Sequence, residues 1–122
     1  MDDRLVRGVE LFNGEFYFDA HDVWEDLWRD LSGPDRIFVQ GLIQAAVGLY
    51  HRENGNLRGA RSQITRSLDK LAGFTPGHHG IDTAGLVQEL RGCLVRVEQL
   101  TTGGVPLPDP PDAPAIRPLP VP

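Results

Sequence analysis

From Ile37 to His51 the chain carries no Asp, Glu, Lys or Arg, and Arg36 and Arg52 bracket the run. Wound as a helix, it is apolar almost all the way round, through Ile37, Phe38, Val39, Leu42, Ile43, Ala45, Ala46, Val47, Leu49 and Tyr50. A helix without a polar face has no side to turn to water, so other elements must enclose it. The run is therefore expected to be the central helix of an all-α protein. Its polar side chains, Gln40, Gln44 and His51, fall within about 40° of one another on the helical wheel. Gly41 and Gly48 flank that stripe, where the missing side chains let a neighbouring helix approach closely.

Glycine and proline divide the rest into helices, with no period-2 pattern long enough to read as a strand. A short opening helix is expected from about Asp3 to Phe12, stopped by Asn13-Gly14, and a second from about Glu15 to Leu31, stopped by Ser32-Gly33-Pro34-Asp35. The central helix breaks at Asn54-Gly55-Asn56, and Asn56 suits the N-cap of a fourth helix with Leu57, Ala60, Ile64, Leu68 and Leu71 on one face. Asp82 or Thr83 caps a last helix carrying Leu86, Leu90, Cys93, Val97 and Leu100. Connections this short favour antiparallel neighbours, so the expected architecture is a compact antiparallel bundle of four main helices plus the short N-terminal one, over residues 1–102. The apolar strip Leu5, Val9 and Phe12 of the opening helix either covers the bundle or pairs subunits. Residues 103–122, eight prolines among twenty, cannot be helical and are expected to form an extended proline-rich tail, loose or laid along the bundle.

Composition removes several function classes. The net charge of −5 comes mainly from the first part of the chain, and an acidic protein without a basic arm is a poor partner for nucleic acid. No apolar stretch is long enough to span a membrane, and the Met1-Asp2-Asp3-Arg4 start lacks a signal-peptide pattern, so the expected location is the cytoplasm. The lone Cys93 reads as a small core residue and offers no cysteine cluster for metal chemistry. There is no phosphate-cradling glycine loop and no Ser or Cys nucleophile motif. His78-His79, in a Gly/Pro loop, read as exposed residues that could capture metal adventitiously.

What the composition leaves is a site on the second helix. His21, Glu25 and Trp28 stand at i, i+4 and i+7, on one stripe. Around that helix Phe16, Ala20, Val23, Leu27 and Leu31 form the apolar arc, extended by Trp24, Tyr17 and Trp28. Glu15, Asp19, Asp22, Asp26 and Asp30 form the solvated face. His21 and Glu25 lie on the seam between the two. In an antiparallel hairpin folded near Gly33, His21 is level with about residue 45, so Gln40 and Gln44 come within reach of the pair. His51 lies about 9 Å further along, and the lean of side chains toward their own N-termini carries His21 and His51 toward each other. Tyr50 reads as a core residue with a hydrogen-bonded hydroxyl, and Trp24 as core more than ligand cage, with Trp28 at the edge of a pocket.

The run Phe12-Asn13-Gly14, Ala20-His21-x-x-x-Glu25-x-x-Trp28, Phe38-x-Gln40-Gly41-Leu42-Ile43-Gln44-x-Ala46, Tyr50-His51 and Gly55-Asn56-x-x-Gly59-Ala60 resembles the bacterial and archaeal family known as domain of unknown function 309, over roughly residues 5–72. The resemblance implies a compact all-helical fold and carries no established activity. It also implies that the family's signature histidine, glutamate and aromatic residue are His21, Glu25 and Trp28, a motif for which metal binding has been suggested.

Two functional readings follow. In the first, His21, Glu25 and His51 form a divalent-metal or small-molecule site, with Gln40, Gln44, Trp24 and Trp28 behind them. Two imidazoles and a carboxylate suit zinc, iron or manganese, and a metal-bound water makes hydrolysis the simplest chemistry. Metal-free acid–base work by the His–Glu pair is a variant of it. In the second reading the protein is a non-catalytic helical interaction or scaffold protein, and the His–Glu–Gln cluster is a polar network that fixes helix register.

Overall fold

The computed structural model describes residues 2–103 and 113–120. It is an all-α bundle of five helices: α1 (Asp3–Asn13), α2 (Tyr17–Arg29), α3 (Gly33–Glu53), α4 (Leu57–Leu71) and α5 (Thr83–Thr101). The charge-free helix is at its centre, as its composition requires. Phe38, Val39, Leu42, Ala45, Ala46 and Leu49 of α3 are all buried, and α3 packs on both α2 and α4. Leu5 and Phe12 of α1 are buried and Val9 packs against the core, so the strip on the opening helix covers the bundle.

Side chains start the helices where sequence chemistry places them. Asp2 accepts from the Arg4 amide at α1, Asn56 from the Gly59 amide at α4, and Asp82 from the Gly85 amide at α5. Between α1 and α2 the chain turns through Glu15, whose φ of 65° is left-handed, so α2 begins two residues later than its apolar spacing suggests. Arg4 then fastens α1 to the end of α2, donating to the Asp30 carboxylate at 2.8 Å and to the Asp26 carbonyl at 3.1 Å.

Between α4 and α5 the sequence pattern gives no strand, yet Gly77–His78 (β1) and Ile81–Asp82 (β2) pair antiparallel. His79 and Gly80 close the hairpin with φ of 49° and 74°, the two left-handed residues that a two-residue primed turn needs. Strands of two residues are too short to show a period, which is why the pattern misses them.

The described part of the proline-rich segment, residues 113–120, lies against the bundle. Asn13 grips Ile116 from both sides, its Nδ2 donating to the Ile116 carbonyl at 2.9 Å and its Oδ1 accepting from the Ile116 amide at 2.7 Å. Glu89 accepts from the Ala115 amide and from Arg117, and the hairpin pairs with the segment through Asp82 N to Arg117 O and Leu119 N to Gly80 O. Ile116 itself is buried, at 3 % exposure. The expected tail also takes in residues 104–112 and 121–122, which lie outside the described residues. Replacing Asn13 by Ala removes both bonds to Ile116 and is expected to cost about 1–2 kcal/mol. Hydrogen exchange should show the Ile116 amide losing protection while the α3 amides keep theirs.

Candidate functional site

The second helix delivers His21 and Glu25 as a pair. One turn apart on α2, they bring His21 Nε2 to 3.2 Å from Glu25 Oε1. The other ring nitrogen, Nδ1, lies 3.2 Å from the Phe18 carbonyl and 3.5 Å from Asp22 Oδ1. Both nitrogens of the imidazole therefore face oxygens. A neutral ring carries one proton and can donate to only one of them; the other nitrogen then points a lone pair at an oxygen lone pair. His21, Asp22 and Glu25 each offer a ligand atom within 4.8 Å of the others.

Beside this pair is a cavity of about 210 Å³ lined by Tyr17, Phe18, His21, Val47, Tyr50 and His51. It lies between α2 and the C-terminal half of α3, and both histidines of the expected cluster face it. His21 reaches its lining from α2 and His51 from the end of α3. His51 does not join the ligand group of His21; its Nδ1 lies 3.4 Å from Asn56 Nδ2, at the start of α4. Gln40, Gln44, Trp24 and Trp28 stand outside the cavity lining. Gln44 shares the angular stripe of His51 but lies about 10 Å nearer the α2–α3 turn.

Each of those four has its own surroundings. Trp24 is fully buried, donating from Nε1 to the Leu5 carbonyl at 3.3 Å. Trp28 is half-buried beneath the Arg36 guanidinium, whose central carbon is 3.9 Å from a ring centre, a cation–π contact. The Trp28 Nε1 and Gln44 Oε1 are buried without a partner among the described residues. Tyr50 departs from its expected core place. Its ring is exposed at the cavity mouth, 5.5 Å from that of Phe18, which is also exposed. Tyr17 is the buried tyrosine instead; burial, and then the Glu15 charge, push its hydroxyl up to about 12. Cys93 is half-buried, and burial pushes its thiol up as well.

A second group escaped the sequence reading. His78 and His79, expected to be exposed, both reach Asp35 Oδ1 through Nε2, at 2.9 and 2.8 Å. His78 is half-buried, its ring centre 4.7 Å from that of Phe38 and 4.8 Å from that of Phe74. Hydrogen bonds from both imidazoles hold the Asp35 carboxyl below its usual range. The sequence signal was present only as an adjacent His pair; nothing in the spacing links it to Asp35, which the fold supplies from the first turn of α3.

Residues 5–63 match the family model of the domain of unknown function DUF309, so the resemblance to that family holds over α1 to the middle of α4, the part containing the His21–Glu25 pair and His51. The chain is also similar to the uncharacterized protein YpuF of Bacillus subtilis (strain 168), at 30% identity over 79 residues. The alignment takes in 64% of this chain and 44% of that protein, so the chain spans less than half the length of that relative. Among the described residues no helix is long and apolar enough to cross a membrane.

Proposed function

We propose that, in this DUF309-like chain, the cleft between α2 and α3 is a small-ligand site whose reactive end is the His21–Glu25 pair, completed by a divalent first-row cation. The observation that carries the reading is that His21 has oxygens at both ring nitrogens while its ring, with that of His51, walls an apolar cavity. The donor set fits such an ion: one imidazole and two carboxylates, from His21, Asp22 and Glu25, with water to fill the remaining positions. When bound there, the cation supplies an acidified water and polarises a carbonyl or phosphoryl oxygen, which makes hydrolysis the reaction class. The chain's own groups do the rest. Phe18 and Tyr50, their rings tilted against each other at 5.5 Å, suit an apolar ligand, Val47 and Tyr17 form the wall, and His51 faces the ligand from the α3 side. Glu25, its Oε1 3.2 Å from Nε2, orients the His21 ring.

The register-fixing reading has less to support it. Among the described residues no hydrogen bond joins His21 or Glu25 to Gln40, Gln44 or His51, and the Gln44 carbonyl oxygen is left without a partner.

Tag-free protein carrying Asp35→Asn, which disables the hairpin group, provides the test. Elemental analysis is expected to find stoichiometric metal that both His21→Ala and Glu25→Gln reduce at least tenfold, with unchanged circular dichroism. Metal content indifferent to both changes would sink the proposal. So would a metal-free protein in which either change costs several kcal/mol, because that is the behaviour of a structural network.

A further inference from the structure

We propose that Asp35, His78 and His79 form a second, independent site for a zinc-class divalent cation, and that the ion placed there clamps α3 to the hairpin and its attached C-terminal segment. Three elements meet at this point. Asp35 lies in the first turn of α3, His78 is the last residue of β1, and His79 is the first turn residue. The two Nε2 atoms converge on a single carboxylate oxygen at 2.9 and 2.8 Å, with the ring centres 4.4 Å apart. Ligands about 2.0–2.1 Å from a tetrahedral zinc stand roughly 3.3 Å from one another, so each Nε2 needs to move away from the Asp35 oxygen by only a few tenths of an ångström, and the three donor atoms already lie within 4.8 Å of one another.

The donors are also held in place. The rings of Phe38 and Phe74 pack on His78, which fixes its side-chain rotamer. The left-handed backbone at His79 and the ladder pairs Gly77–Asp82 and His78–Ile81 fix the direction in which His79 leaves the turn. Two imidazoles with one carboxylate select zinc, cobalt, nickel or copper over magnesium and calcium, which prefer all-oxygen sites. On binding, the single proton of each neutral ring moves from Nε2, where it is donated to Asp35, to Nδ1 by exchange with solvent, so both Nε2 lone pairs turn to the ion and two hydrogen bonds are replaced by three coordinate bonds. The hairpin already carries the segment through Asp82 N to Arg117 O, Leu119 N to Gly80 O and the Ile81–Pro118 bridge. An ion at its turn would therefore steady residues 117–119 as well.

The site is tested on the full, tag-free, chelator-stripped chain carrying Glu25→Gln, which removes the His21 group and keeps the two sites separable. Zinc titration should saturate at a single equivalent, shift the ring resonances of His78 and His79, and slow exchange of the Asp82 and Leu119 amides. Asp35→Asn and His79→Asn should each weaken zinc binding at least tenfold. His79→Asn is the decisive variant, because Asn-Gly is the preferred pair for this turn and leaves the hairpin intact while removing a ligand. Its metal-free thermal midpoint should equal or exceed that of the parent. Zinc binding unchanged in both variants, or undetectable in the parent at micromolar zinc, would overturn the assignment.

Discussion

Trp24→Ala is expected to destabilise the protein by about 3–5 kcal/mol, the range for truncating a fully buried tryptophan. The indole is completely enclosed, with the Phe12 ring centre 6.0 Å away and Gly8 of α1 directly above it. A side chain on Gly8 would overlap the Nε1 end of the ring, so α1 and α2 touch through backbone and indole. Truncation leaves a cavity at the junction of these two helices and deprives the Leu5 carbonyl of its indole donor. Denaturant titration should show the midpoint falling with the slope unchanged, as for a loss of packing within one cooperative unit. A loss below about 1 kcal/mol would mean that α1 is not held by this indole. Gly8→Ala strains the same contact from the other side. Combined with Trp24→Ala it should cost less than the sum of the two, because the methyl enters the space the indole vacates.

How much of this could be read in advance depends on the range of the interaction. The absence of charge between Arg36 and Arg52 is a property of consecutive residues, and it was enough to identify the central helix. The helix starts at Asn56 and Asp82 are equally local, since an N-cap bonds within three residues of itself. The hairpin is local too, but its signal is a His-Gly pair in place of the usual Asn-Gly, with strands of two residues on either side. The grip of Asn13 on Ile116 joins residues at opposite ends of the described chain and has no sequence signature at all.

The candidate site divides in the same way. His21 and Glu25 are one turn apart, so helical geometry alone makes them a pair. That His51 faces the same cavity also follows from counting along a helical hairpin. Gln40 and Gln44 share the angular stripe of His51 and stand outside the cavity lining. Asp22 was assigned to the solvated face, where most of its surface is, yet its carboxylate also comes within 3.5 Å of His21 Nδ1. Tyr50 went astray because an apolar run predicts burial for each of its members, while the cavity between α2 and α3 leaves one edge of the central helix open.

Gly48→Ala is expected to destabilise the protein by about 1–3 kcal/mol, although alanine is the better helix former by roughly 1 kcal/mol. The two effects oppose each other, and geometry decides between them. A methyl at Gly48 would stand 2.7 Å from Ile64 Cγ1, 3.2 Å from the Ile64 amide nitrogen and 3.4 Å from the Ala60 carbonyl. Two of those three neighbours are α4 backbone, so relief requires moving the helix. Seven residues earlier, Gly41 makes the matching close approach, with Leu71 Cδ2 2.9 Å from where its methyl would stand. There Ser67 is drawn in until its hydroxyl donates to the Gly41 carbonyl at 2.7 Å. The pair thus sets the α3–α4 spacing at two points, and a displacement at Gly48 also stretches the Ser67 bond. Gly92 is the internal control. It lies on the exposed face of α5, where an added methyl would meet nothing within 4 Å, so Gly92→Ala should stabilise the protein by about 0.5–1 kcal/mol. Thermal unfolding of the two variants side by side should move the midpoint in opposite directions. If both rise, the close approach of α3 and α4 is not what these glycines are for.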